Sequence, residues 1–204
     1  MYGSLDRLAT DYLDLIMLHW PAVPSTCTDK WATICDSWRA LEKAYDQGVV
    51  RAIGVSNFAR DDLERLLDEA SIVPLVNQIE FHPFQRDQDI LDVCDEERIQ
   101  VQGYCPLGKG KILHEPAIVE IATRVQRTAA QVLIRWSFEN GVATVPKSTR
   151  VDRVAENIDV FDFCLDERDV DTLNGMHDGR RYVSAAGIQS KIDSNLPDGY
   201  KLYL

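Results

Sequence analysis

The sequence predicts an α/β fold, an incomplete (β/α) barrel with about five parallel strands and their helices. Short apolar runs alternate strictly with segments of helical periodicity, so a crossover helix joins each strand to the next and the strands run parallel. No glycine-rich phosphate loop of the GxGxxG type opens any helix, which argues against a doubly wound nucleotide-binding sheet. Polar residues stand at or just past the C-terminal end of the strands, where barrels gather their sites. Five strands fall short of the eight that close a barrel. Two open parallel edges follow, and with them poor stability or an oligomer that covers the edges.

Ser4 to Thr10 reads as a helix end, with Leu5 and Leu8 on one face. From Leu13 to Trp20 only Asp14 and His19 interrupt an apolar run that Pro21 stops, which predicts a strand over Leu13–Leu18 buried on both faces. Trp31 to Gln47 carries Ile34, Trp38, Leu41 and Tyr45 at helical spacing, with Gly48 as its stop. A strand over Val49–Val55 ends in Ser56-Asn57, and a helix over Asp61–Ala70 follows. A third strand, Leu75–Phe81, carries Gln78 and closes at His82-Pro83; Arg86 to Glu97 is helical. The fourth strand, Gln100–Tyr104, runs into Cys105-Pro106-Leu107-Gly108. Pro116 opens one helix, and Thr128 caps another that reaches Glu139 before Gly141. The fifth strand, Val142–Val145, ends in Pro146-Lys147-Ser148, and helices over Val151–Ile158 and Glu167–Leu173 complete the pattern. Residues 179–204 have no clear period and read as a C-terminal loop or tail of a single domain, 1–204.

Composition narrows the function. Lys and Arg number 22 against 33 Asp and Glu, a net charge of −11, which excludes a general binder of nucleic acid or anionic membrane but not a local basic pocket. Five cysteines without a C-x-x-C pair fit reduced thiols and a cytoplasmic protein. No run approaches the roughly 20 apolar residues of a membrane span, and Met1 to Asp6 is no signal peptide. No metal site is expected.

Taken singly, the polar residues have ordinary readings. His19 is a rim histidine held by a hydrogen bond, Ser56-Asn57 a helix cap or turn, Gln78 a structural amide, Tyr104 a core aromatic, and Lys147 to Arg153 an exposed charged turn. Their succession changes this. LDLIMLHWP at Leu13–Pro21, VRAIGVSNF at Val50–Phe58, LVNQIEFHPF at Leu75–Phe84, YCPLGKG at Tyr104–Gly110 and VPKSTRVDRVAEN at Val145–Asn157 together resemble the aldo-keto reductases, from that family's fourth strand to its C-terminus. The resemblance implies a (β/α)8 TIM-barrel fold, NADP(H) as cofactor, and reversible reduction of a small-molecule carbonyl, aldehyde or ketone, to an alcohol by hydride transfer, in a protein that is monomeric in the full-length family. It also implies roles. His19 would orient and polarise the carbonyl. Ser56, Asn57 and Gln78 would hold the nicotinamide carboxamide, and Tyr104 would stack on the ring. Pro106, Leu107 and Gly108 would lie along the pyrophosphate. Lys147, Ser148 and Arg153 would grip the 2′-phosphate, with Glu156 and Asn157 at the adenine. The family's catalytic Tyr, Lys and Asp belong to segments before its fourth strand and have no counterpart in this stretch, so the family resemblance leaves a second possibility, a non-catalytic NADP(H)-binding or regulatory partner subunit.

Overall fold

A computed structural model describes residues 2–183 and 185–194. Its strands are β1 (Ile16–Leu18), β2 (Ile53–Ser56), β3 (Val76–Glu80), β4 (Gln100–Tyr104) and β5 (Ala143–Val145), in a single sheet of order β1-β2-β3-β4-β5. The helices are α1 (Tyr2–Leu8), α2 (Lys30–Asp46), α3 (Arg60–Leu67), α4 (Gln88–Glu96), α5 (Pro116–Val125), α6 (Ala129–Glu139), α7 (Val151–Ile158), α8 (Glu167–Asn174) and α9 (Ala185–Ser194), with a short 3₁₀ turn at Gly108–Gly110. The five parallel strands with intervening helices are as the sequence predicts.

The chain packs as two compact units. One comprises residues 1–77, 93–99 and 183–204, the other residues 78–92 and 100–182. In the first, α2 starts where the Asp29 carboxylate accepts the Ala32 N–H at 3.0 Å. It buries Ile34, Cys35, Trp38 and Ala44. Its buried Glu42 accepts the backbone N–H groups of Ser71 at 2.7 Å and Ile72 at 2.9 Å with one oxygen. Glu42→Ala should therefore cost about 1–3 kcal/mol in a urea melt, the penalty of leaving donors unpaired. Glu42→Gln retains an acceptor and should cost much less.

In the second unit, β4 and β5 pair in parallel with Tyr104 opposite Val145. Thr128 and Gln131 close a capping box at the start of α6. This helix buries Val132, Leu133, Ile134 and Trp136, and the Trp136 ring stacks on Phe81 at 4.8 Å and 13°. Pro116 occupies the first turn of α5, where its missing N–H costs nothing.

Three expectations need correction. The strand at Leu13–Leu18 is regular only over Ile16–Leu18 and half-buried, with Leu13 making an isolated bridge to Val50. It lies at the end of the sheet order, where no further described strand covers its outer side. Correspondingly, β2 begins at Ile53 rather than Val49. The tail is not all loop: α9 forms, and Ile188 and Ile192, four residues apart, line one cavity. Tyr200 and Tyr203 of that tail lie outside the described residues.

Candidate functional site

In the first unit the sequence-derived residues converge on the ends of β1 and β2. His19 is exposed just past β1. Asn57 has φ +64°, a left-handed conformation that asparagine tolerates. Its amide Nδ2 donates to the His19 carbonyl at 2.9 Å and to the buried Ser56 Oγ at 3.0 Å. The turn thus clamps His19 to Ser56-Asn57. Beside it is a largely apolar cavity of about 480 Å³ that includes Leu18, His19, Trp20, Ile34, Ile188 and Ile192. The helix α9 is tied to this unit by two polar contacts: the Asp193 carboxylate accepts the Ser25 N–H at 2.8 Å, and Gln189 Nε2 donates to the Val23 carbonyl at 3.0 Å. The Ser25 amide holds the Asp193 carboxyl below its usual pKa. A lowered folded-state pKa contributes stability above the unfolded value and loses it as pH falls through the folded one. Acidification through the carboxylate range should therefore loosen α9, visible as a titration of the Ser25 amide proton by NMR. No such titration in Asp193→Asn would confirm the assignment.

In the second unit Gln78, on β3, donates its amide to Gln102. Tyr104 is half-buried at the end of β4. Burial first, then the Glu80 carboxylate, raises its phenol pKa against a smaller opposing pull from Arg181. It therefore stays a neutral ring with an O–H donor. Pro106 and Gly108 are buried and Leu107 half-buried in the following turn, where Gly108 has φ +52°. Because Tyr104 and Val145 are register partners, Lys147 leaves β5 at the same end of the pair. Ser148 Oγ accepts the Arg150 N–H at 3.1 Å, shaping the turn into α7. Lys147 and Arg153 are both exposed, and neither has an ion pair among the described residues, whereas Arg150 is paired with Asp152. Glu156 accepts the Thr128 hydroxyl at 2.6 Å, and Asn157 is buried. The carboxylate of Glu156 thus serves a helix cap as it stands.

The sequence reading missed a buried polar cluster in this unit. Glu80 is 4% exposed, with Oε1 3.3 Å from Nε2 of a fully buried His82. The Tyr182 N–H donates to the same Glu80 oxygen at 2.7 Å. The available signal was a glutamate between Ile79 and Phe81: a charge inside an apolar strand requires partners. The cysteines are free thiols: Cys35 and Cys94 buried, Cys27 and Cys105 half-buried, Cys164 exposed. No helix among the described residues is long and apolar enough to cross a membrane.

Comparison with known proteins places these features. The chain is 44% identical over 200 residues to an uncharacterised oxidoreductase of Caenorhabditis elegans, covering 98% of this chain and 62% of that protein. It is 43% identical over 178 residues to a glyoxal reductase of Bacillus subtilis, covering 87% of this chain and 62% of that one. An aldo-keto reductase of the silkworm Bombyx mori, solved complexed with NADPH, superposes with a TM-score of 0.84 at 32% identity, over 93% of this chain and 62% of its own. The chain thus spans about three-fifths of the length of these relatives, and the strands and helices described above are those of an incomplete (β/α)8 barrel. The aldo/keto reductase family model matches residues 2–178, and the chain belongs to the aldo/keto reductase family.

Proposed function

We propose that this protein carries the NADP(H)-binding residues and the carbonyl-polarising histidine of an oxidoreductase that reduces aldehydes or ketones to alcohols. The observation that carries the reading is the pair of exposed cations at the β5–α7 turn, Lys147 and Arg153, neither of which has an ion pair among the described residues. In a chain of net charge −11, two exposed cations flanking a serine hydroxyl that already shapes the turn fit a phosphate monoester. Relatives solved with NADP or NADPH support the same ligand. Bound NADPH would supply hydride to a carbonyl carbon. Within the second unit Lys147, Ser148 and Arg153 would hold the 2′-phosphate, with Glu156 and Asn157 toward the adenine. Pro106, Leu107 and Gly108 would lie along the diphosphate, Tyr104 would offer its neutral ring to the nicotinamide, and Gln78 would meet the carboxamide. Within the first unit Ser56 and Asn57 would meet a carboxamide, and His19, whose backbone carbonyl Asn57 holds, would polarise the carbonyl oxygen.

His19 is the member of the family's catalytic set that these 204 residues carry, so the 204-residue chain by itself should bind NADPH without turning over an aldehyde. A fluorescence titration with NADPH, beside a turnover assay with a generic aldehyde, tests this. Absence of binding, or equal affinity for NADH, would refute the reading.

A further inference from the structure

The segment that follows α8 returns to the turn proposed to meet the diphosphate. The Arg180 N–H donates to the Phe84 carbonyl at 3.1 Å, and its guanidinium lies 4.1 Å from the Phe84 ring centre. Two residues on, the Tyr182 N–H is fixed to the buried Glu80 at 2.7 Å. Lys109 Nζ donates to the Tyr182 carbonyl at 2.6 Å, and Lys111 Nζ lies 5.6 Å from the centre of the Tyr182 ring. That ring sits on Gly108 so closely that a Cβ there would come within 2.8 Å of Tyr182 Cε2. Both lysines of the turn are thus engaged on one residue of the C-terminal segment.

We propose that Arg180–Tyr182 is an autoinhibitory strap, seated on the Gly108 turn by Glu80, Lys109 and Lys111, that must lift before a diphosphate-bearing dinucleotide can use that turn. This rests on the reading above that Pro106, Leu107 and Gly108 lie along the diphosphate. The competition has a clear sign. A neutral carbonyl is a weaker partner for an ammonium than a phosphate oxygen, which makes the shorter, stronger, charge-assisted bond. A ligand that binds only the lifted state pulls the equilibrium toward it, and its apparent affinity is reduced by the fraction lifted. Lys109 and Arg181 are exposed, so the strap is within reach of solvent, ligand and protease.

Limited trypsinolysis of the 204-residue chain, with cleavage after Arg180 and Arg181 quantified by mass spectrometry, tests the strap directly. Inorganic pyrophosphate and NADPH should each speed this cleavage roughly ten- to a hundred-fold, the change that losing one charge-assisted hydrogen bond sets on an opening equilibrium. Tyr182→Ala and Lys109→Met should speed it without ligand. Tyr182→Ala should also tighten NADPH binding by a similar factor. Lys109 is exposed, so Lys109→Met retains the fold even if Tyr182→Ala does not. Cleavage unchanged or slowed by pyrophosphate overturns the strap. So does an NADPH affinity that is the same in Tyr182→Ala and the unmodified chain, which would leave the functional reading standing. Cleavage that responds to pyrophosphate in a chain with no affinity for NADPH would retain the strap and remove the dinucleotide.

Discussion

Reversing Lys147 and Arg153 together to glutamate should weaken NADPH binding by about a thousand-fold and change NADH binding little. A charge-assisted hydrogen bond contributes about 1.5–3 kcal/mol, and two of them at about 2 kcal/mol each correspond to about three decades in Kd. Both side chains are exposed, so salt should shrink the effect, as screening requires. Exposure also makes the experiment clean. Neither cation has an ion pair among the described residues, so the double variant should stay within about 0.5 kcal/mol of the original stability. Equal losses for NADPH and NADH would show that the pair does not read the 2′-phosphate.

Trp136→Ala should be the most damaging single substitution proposed for this protein, costing about 3–5 kcal/mol. The side chain is fully buried, stacks on an equally buried Phe81, and donates Nε1 to Asn174 Oδ1 at 2.9 Å. It joins α6 to the end of β3 and to α8 within one compact unit. Trp136→Phe separates the contributions. It retains a stacking ring and loses the hydrogen bond, so it should cost nearer 1 kcal/mol from that bond, plus whatever the smaller ring leaves unfilled. Chemical denaturation followed by circular dichroism measures both without relying on tryptophan fluorescence.

What the sequence made legible follows from the range of the forces involved. Pro116 and Thr128 are local signals, and the structure starts α5 and α6 where they stand. Gly48 and Gly141 likewise mark stops whose geometry is local. The strand at Leu13 was overextended because apolar density reports hydrophobicity and not how many neighbours a strand will have; at the end of the sheet order Ile16–Leu18 is only half-buried. The helix α9 was hidden for the opposite reason. Its sequence, with a glycine inside and only two isoleucines, has weak helical periodicity, and its tie to Ser25 spans 168 residues. The clamp of His19 by Asn57 joins residues 38 apart, so adjacency of motifs in the chain suggested the site but not the hydrogen bond that shapes it. Glu80 and Tyr182 were missed on the same ground: their partnership joins positions 102 apart.

The single exposed thiol has a practical consequence. Burial raises the pKa of Cys35, Cys94 and Cys105, so they hold little thiolate, and Cys27 gives its sulfur to a contact with the Asp29 carbonyl at 3.3 Å. Cys164 remains open to solvent, with an Arg135 guanidinium nitrogen 3.7 Å from its sulfur. A maleimide dye at limiting concentration should therefore attach there first, giving an uncut, unmutated chain one optical reporter whose position on the molecule is known.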